Sequence, residues 1–339
     1  MKRRNRFLIV FLISAVAFVV LVGLTLLKMP KQLLERSTFL LRTNNLNVNN
    51  LENYCWMTDE SMLIWNEKVY LYNFKSQKCL EVAKLTPIYD GMSNITVSRD
   101  SRLLLWRYSR GSKGATFTIS TLEGSHWNYD SAPMCEACFT HDSRHWLDVY
   151  LRDNDPVVTV HSVSSGESNV SIALPITVDG KSLTGMHFLG VCGVADDLVF
   201  EDDCVAKNHI SRRANIYVIE AKKNRPTILR FSIQVATPPV VEPILSPDGK
   251  QLAWQLERDQ TSPIIDWIRA ILKLRGNRQQ SKITEMWISN LNGTKMHEVG
   301  YVASDSNQEG PGYFKWLPDN VHMSFIYRDS MYRFDTRNQ

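Results

Sequence analysis

The sequence predicts an all-β fold, a ring of four-stranded antiparallel sheets, and three observations carry that prediction. One turn motif returns along the chain. Each turn is followed by strand-like alternation of apolar and polar residues. Each pair of strands made this way is followed by further strand-like runs.

The turn is clearest in LSPDGKQLAW, residues 245–254. Proline presets φ, aspartate caps its own backbone and glycine tolerates positive φ, so Ser246-Pro247-Asp248-Gly249 reads as a tight turn. Beyond it Leu252 and Trp254 fall on one face and Gln251, Ala253 and Gln255 on the other, the period of a half-buried strand. Anchored on the aspartate, the pattern recurs at Asp59 in CWMTDESMLIW, Asp100 in VSRDSRLLLW, Asp142 in FTHDSRHWLDVY and Asp319 in WLPDNVHMSF. Four residues on stands Leu63, Leu104, Trp146, Leu252 or Met323; six residues on stands Trp65, Trp106, Trp254 or Phe325. The third copy departs, with Asp148 at that second place. A weaker copy, HFLGVCGVADDLVF, fills the gap between Asp142 and Asp248, with Asp196 or Asp197 as its turn residue and Phe200 as a shifted aromatic.

After the hairpins come the runs 68–74, 115–122, 157–163, 215–220 and 285–290, and most are followed by a fourth, such as 168–174 or 227–233. Four strands per repeat, at spacings of about 40 to 70 residues, is the pattern of propeller blades, and six copies predict a six-bladed β-propeller. One blade cannot bury both of its faces, so neighbours must stack around an axis.

SPDGKQLAW followed by EMWISNLNGTKMHEV resembles the blade repeat of TolB-type six-bladed propellers of bacterial envelopes. The likeness spans residues 51–339, strongest in the fifth copy and weakest in the fourth. It implies a propeller and says little about function. The separate N-terminal domain of TolB has no counterpart here, so TolB's partners are not implied. The last copy has only three strands before the chain ends, and STFLLRT, residues 37–43, is the expected donor of the fourth, closing the ring and removing open edges.

Residues 1–6 carry Lys2, Arg3, Arg4 and Arg6, which account for most of the formal net charge of +4; the remainder is roughly neutral and gives no reason to invoke nucleic acid. Phe7 to Leu27 is free of charge and long enough to cross a bilayer as a helix. Basic flanks place residues 1–6 in the cytoplasm and the rest outside. A cleaved signal peptide is the competing reading. The run is longer than a usual h-region, and its one Ala-x-Ala site, Ala15 to Ala17, lies in mid-run. The expected organisation is therefore a stub (1–6), an anchor (7–27), a linker with the closing strand (28–50) and a propeller (51–339) that is extracytoplasmic, in the periplasm. All six cysteines lie on the exported side, where disulfides persist; the sequence does not choose a pairing.

Cys135, Cys138, His141 and His145 form C-x2-C-x2-H-x3-H, four zinc-capable ligands at short spacing. The repeat opposes that reading, since His141 takes the turn place of Pro247 and His145 begins the next strand, so the four side chains need not converge. The acidic run Asp196, Asp197, Glu201, Asp202 and Asp203 lacks the spacing of a calcium loop and is expected on a solvated rim. No G-x-S-x-G, H-E-x-x-H, P-loop or G-x-G-x-x-G occurs, and no cofactor is called for.

An insertion at 259–282 interrupts the fifth blade. Ser262 suits an N-cap, Pro263 the first helical position and Gly276 the stop. Asp266, Arg269 and Lys273 share one narrow arc of that helix, opposite Ile264, Ile265, Trp267, Ile268, Ile271 and Leu272. It reads as a lid on its own propeller, a docking helix or a membrane-surface helix. As a docking helix its contact residues are Ile264, Trp267, Ile268 and Ile271, with Arg269 and Lys273 beside them. The function expected is a membrane-held protein-binding or scaffolding module. The alternative is a propeller-hosted hydrolase or lyase working in the central funnel.

Overall fold

The computed structural model describes residues 32–42, 46, 53–65, 68–82, 92–109, 115–122, 126–131, 136–152, 155–164, 168–174, 177–178, 180–183, 186–193, 195–205, 211–220, 227–236, 240–259, 282–304 and 310–337. Among them no helix is long and apolar enough to cross a membrane. Residues 7–27 and the centre of the 259–282 insertion lie outside the described residues.

Six four-stranded antiparallel sheets form the ring. A short helix, α1 (Leu33–Arg36), leads into β1 (Thr38–Arg42). Blade 1 follows as β2 (Tyr54–Thr58), β3 (Ser61–Trp65), β4 (Val69–Asn73) and β5 (Lys78–Glu81). Blade 2 is β6 (Met92–Val97), β7 (Leu103–Ser109), β8 (Ala115–Thr121) and β9 (His126–Ser131). Blade 3 is β10 (Glu136–Phe139), β11 (His145–Arg152), β12 (Asp155–Ser162) and β13 (Ser168–Ala173). A small hairpin, β14 (Thr177–Val178) with β15 (Lys181–Ser182), precedes blade 4, which is β16 (His187–Cys192), β17 (Asp197–Val205), β18 (Ser211–Glu220) and β19 (Thr227–Ala236). Blade 5 is β20 (Val240–Leu245), β21 (Gln251–Asp259), β22 (Lys282–Asn290) and β23 (His297–Ser304). Blade 6 contributes β24 (Gly312–Trp316), β25 (His322–Tyr327) and β26 (Ser330–Asp335).

The expected closure is present. β1 pairs antiparallel with β26, Thr38 opposite Arg333 and Arg42 opposite Ser330, so the sixth sheet runs β1-β26-β25-β24. A segment from the start of the chain thus completes the last blade. α1 lies just before it, with Leu33 buried among blade 5 and blade 6 side chains and Arg36 Nη1 donating to Val299 O at 2.8 Å.

The core is divided into seams between neighbouring blades, because each sheet alternates its side chains between two buried faces. In β7, Leu104 and Trp106 face blade 1 while Leu105 faces blade 3. In β21, Leu252 and Trp254 face blade 4 while Ala253 faces blade 6. Blades 3 and 4 meet through Leu147, Val158, Leu198 and Phe200, roofed by Val178 and Leu183 of the small hairpin; blades 6 and 1 meet through Leu317, Met331, Tyr54, Trp56, Met62 and Ile64. Two of the repeat tryptophans also satisfy their indole N–H within the blade: Trp106 Nε1 donates to Ser120 Oγ at 2.7 Å and Trp254 Nε1 to Ser289 Oγ at 2.9 Å, each serine lying on the third strand.

Blade 1 departs from the sequence alignment. Trp56 pairs with Met62, leaving five residues between them, whereas Val97 and Leu104 in blade 2 leave six. A turn one residue shorter flips every later side chain. Met62 and Ile64 therefore hold the places expected of Leu63 and Trp65, which face blade 2 instead. On that side Trp65 Nε1 is buried and meets no acceptor among the described residues.

Candidate functional site

The turns joining first to second strands line one face of the ring, and their side chains close on themselves in a repeated way. Ser98 Oγ donates to Asp100 Oδ1, Thr140 Oγ1 to Asp142 Oδ1 and Ser246 Oγ to Asp248 Oδ1, at 2.6 to 2.7 Å. The aspartate in turn accepts the backbone N–H two residues on, from Arg102, Arg144 or Lys250. In blade 6, where Leu317 replaces the hydroxyl residue, Asp319 Oδ1 accepts from Val321 N and His322 N. The residue after the aspartate is left-handed: Ser101, Ser143, Gly249 and Asn320 have φ between +57° and +69°. Burial alone would raise the carboxyls of Asp142, Asp248 and Asp319, but these hydrogen bonds, joined at Asp319 by one from the His322 ring, outweigh it and hold all three below the ordinary carboxylate range.

From blade 1 to blade 6, neighbouring blades also touch in succession at these turns. Ser101 Oγ donates to Met57 O, Asp100 N to Ser143 Oγ at 3.4 Å, His141 N to Asp196 Oδ1 at 2.6 Å and Asp248 N to Asn320 Oδ1 at 2.7 Å. Between blades 4 and 5 the contact is steric: a Cβ on Gly249 would stand 2.5 Å from Cys192 Cα. Neither Asp196 nor Asp197 takes the place of the other turn aspartates. The other turn aspartates stand three residues beyond Val97, Phe139, Leu245 and Trp316, whereas Asp196 stands five beyond Val191, which pairs with Leu198 as Val97 pairs with Leu104. Asp196 sits later in the turn with φ +56°, and Asp197 begins β17.

Inside this ring of turns opens a cavity of about 210 Å³. It is lined by the first strands of blades 2 to 5, which places it on the axis. Its walls are largely apolar, with Val97, Phe139, Val191 and Leu245, and its mouth carries Arg99, His141 and Asp248. Arg99 Nη1 lies against both ring nitrogens of His141, 2.9 Å from Nε2. Arg99, His141 and Pro247 all immediately precede a turn aspartate, so one repeat position circles the mouth. That regularity was available in the sequence.

The three described members of the zinc quartet do not converge on one point. Cys135 lies outside the described residues, Cys138 sits in β10, His141 turns to Arg99, and His145 Nδ1 lies 3.5 Å from Asp142 Oδ2. Burial, helped by Asp196 and Glu136, pushes the Cys138 thiol up to about 12, away from the thiolate a metal needs. Among the described residues no group of three or more His, Cys, Asp or Glu could hold a metal ion. Cys138 is a free thiol, so no bridge joins it to Cys135; Cys55, Cys79 and Cys192 are also free. The acidic run is not a solvated rim. Strand alternation in β17 sends Glu201 and Asp202 to opposite faces, and Glu201 is buried. Ile264, Trp267, Ile268, Arg269, Ile271 and Lys273 lie outside the described residues.

A second polar cluster sits at the seam of blades 6 and 1. Lys315 Nζ donates to Tyr54 O and lies 4.5 Å from the centroid of the Tyr54 ring; Tyr54 Oη donates to Tyr313 O at 2.6 Å and shares a hydrogen bond with Ser324 Oγ, which also accepts from Trp56 Nε1. Burial lowers the Lys315 pKa, and no carboxylate partner stands beside it among the described residues. Every donor and acceptor in the cluster joins β2 to β24 or β25, which suits a clasp for the seam.

No protein-family model matches the chain, and no curated protein matches it in sequence. Solved structures do resemble it. The β-propeller domain of Cps50 (Swd1) from Myceliophteria thermophila superposes with a TM-score of 0.50 at 11% identity, covering 85% of this chain and 98% of that one. Oligogalacturonate lyase from Vibrio parahaemolyticus gives 0.49 at 10%, covering 88% and 93%. The β-propeller domain of the Trilobed protease from Pyrococcus furiosus gives 0.43 at 12%, covering 79% and 75%. The likeness is one of fold alone.

Proposed function

We propose that this chain is a membrane-anchored, extracytoplasmic propeller of the TolB-like kind that binds or scaffolds another protein in the cell envelope. The observation that carries the binding reading is the closed ring with a mouth on its axis: blades tied turn to turn hold a rigid disc, and the residues at one repeat position present different chemistry around the opening. The anchoring rests on the charge-free run Phe7 to Leu27 and its basic flanks. Only a few residues separate that run from Gln32, which bridges to Tyr301 on the outermost strand of blade 5. An anchor there would hold the disc by its rim. The helix expected at 262–276 supplies the second contact surface, with Trp267 and Ile271 as its anchors.

The test is a crosslinking pull-down with the full chain and with a chain lacking 262–276, paired with protease access to a C-terminal tag in spheroplasts. Loss of a captured partner on deletion and digestion of the tag by protease added outside support the proposal. A tag protected until the membrane is lysed, or no partner for either chain, overturns it.

The enzyme reading keeps one observation in its favour: His141, Arg99 and Asp248 bring titratable and charged groups to an axial cavity. Turnover of a substrate abolished by His141→Ala would establish it.

A further inference from the structure

The geometry points to the axial cavity as a site for a carboxylate carried on an apolar chain, gripped by Arg99 with His141 holding the guanidinium in place, and with Val97, Phe139 and Leu245 covering the apolar part. This rests on the binding reading above and names the chemistry of what is bound. The carboxylates near the mouth are already engaged. Asp248 accepts from Ser246 Oγ and Lys250 N and has Lys250 Nζ 3.4 Å away; Asp142 accepts from Thr140 Oγ1 and Arg144 N; Asp196 accepts from His141 N. Arg99 has no carboxylate partner among the described residues. Among the described residues its side chain meets only the His141 ring, which leaves most of its five donors open there. A guanidinium is always charged and its planar fork matches a carboxylate through two parallel hydrogen bonds. The His141 ring, with both nitrogens against Arg99 Nη1, holds the guanidinium at that place. Apolar walls lower the local dielectric and strengthen such a pair. At about 210 Å³ the cavity is smaller than the several hundred Å³ of a drug-sized pocket, so it takes an end or one side chain of its ligand. Two sources supply that chemistry, a peptide C-terminus and an internal acidic side chain.

The experiment is calorimetry on the full chain, purified in detergent, with three probes: acetyl-Ala-Leu-Leu bearing a free carboxylate, the same peptide as its C-terminal amide, and acetyl-Leu-Asp-Leu-amide. Inorganic phosphate alone is the fourth. Binding of the first or third peptide, with the losing one telling terminus from side chain, is expected; amidation of the terminal carboxylate then weakens the first by about tenfold or more, as for loss of a hydrogen bond to a charged group. Arg99→Ala weakens binding by about tenfold or more, and Arg99→Lys restores part of it. Arg99 is exposed, and an unchanged melting temperature shows that the variant folds. Equal binding of acid and amide, binding untouched by Arg99→Ala, no peptide binding at all, or Arg99-dependent binding of phosphate only overturns the inference. If a crosslinked partner is still captured equally by Arg99→Ala, the inference falls and the scaffolding reading survives. If the carboxylate peptide binds but no partner is captured, the reverse holds.

Discussion

The backbone N–H of His141, in the blade 3 turn, donates to Asp196 Oδ1, in the blade 4 turn, at 2.6 Å. The bond joins two blades at the edge of the axial cavity, and Asp196 makes it from a left-handed backbone at φ +56° while only 8% exposed. Asp196→Ala removes the acceptor and places a Cβ-bearing residue without a local polar anchor in that conformation. The expected loss is about 2 to 3 kcal/mol, from an unsatisfied donor and left-handed strain. Asp196→Asn keeps an acceptor and tolerates the left-handed region, so it should stay within about 1 kcal/mol of the parent. Urea denaturation of the three proteins decides; equal midpoints would mean the turn contact carries no stability.

Gly249→Ala should cost more than Gly293→Ala although both glycines have positive φ, +69° and +78°. At Gly249 the new Cβ meets Cys192 Cα at 2.5 Å, which is backbone of the neighbouring blade and cannot move without opening the seam. At Gly293 it meets Ile233 Cγ1 at 2.7 Å, a buried blade 4 side chain that yields by a small shift more readily than backbone does. The left-handed penalty of about 1 to 2 kcal/mol is common to both, so the difference between their melting temperatures compares a backbone clash with a side-chain one. A smaller loss at Gly249 would contradict the packing described.

The hairpin turns should fail as pH falls. Asp142, Asp248 and Asp319 have carboxyls held below their unfolded values, which lie near 3.9. A lowered folded pKa contributes stability that is present above the unfolded pKa and lost as pH falls through the folded one, so the loss is confined to acid below about pH 5. The triple Asp→Asn variant should melt lower than the parent at pH 7 and show a shallower decline between pH 5 and pH 3. Parallel curves for the two proteins would remove the turns from the acid limb.

These turns were also the most legible part of the chain. The Ser246 hydroxyl and the Asp248 carboxylate close the turn through bonds to residues at most five positions away, and local chemistry of that kind is visible in sequence. STFLLRT was legible as the closing strand because three strands at the end of the chain leave an open edge. The repeat spacing that sets Leu63 and Trp65 beside Leu252 and Trp254 does not carry over to facing, because blade 1 has one residue fewer in its turn, and a sequence that is apolar on both faces, MLIW, conceals the slip. The pairing of Arg99 with His141 was harder to see. It joins residues 42 positions apart, whose nearness follows only once neighbouring blades are set around a common axis.

Free thiols give a test of the seams. Burial pushes Cys55 and Cys138 up to about 12 and Cys192 to about 11, while Cys79 lies exposed on the outer strand of blade 1. Reaction follows the thiolate, so iodoacetamide at pH 8 should label Cys79 first and the other three only on unfolding, as read by mass spectrometry of digested protein. Rapid labelling of Cys138 in the folded chain would show that the blade 3 strand beside the cavity is open to reagent.

Leu33 and Phe39 separate the two tasks of the segment that closes the ring. Leu33 is 1% exposed and fills the seam between blades 5 and 6 with Met286, Val299 and Phe334 nearby in the same cluster, whereas Phe39 is 52% exposed on the outer strand, edge-on to Tyr332 with ring centroids 6.0 Å apart. Truncating a buried leucine costs about 2 to 5 kcal/mol, and truncating a half-exposed phenylalanine costs much less. Leu33→Ala should therefore lower the urea midpoint well below that of Phe39→Ala. Because α1 leads directly into β1, which closes blade 6 by pairing with β26, loss of Leu33 should also loosen that edge, and the variant should elute partly as larger species by size-exclusion chromatography. Equal midpoints for the two variants would mean that α1 is a passive lead-in and that strand pairing alone seals the ring.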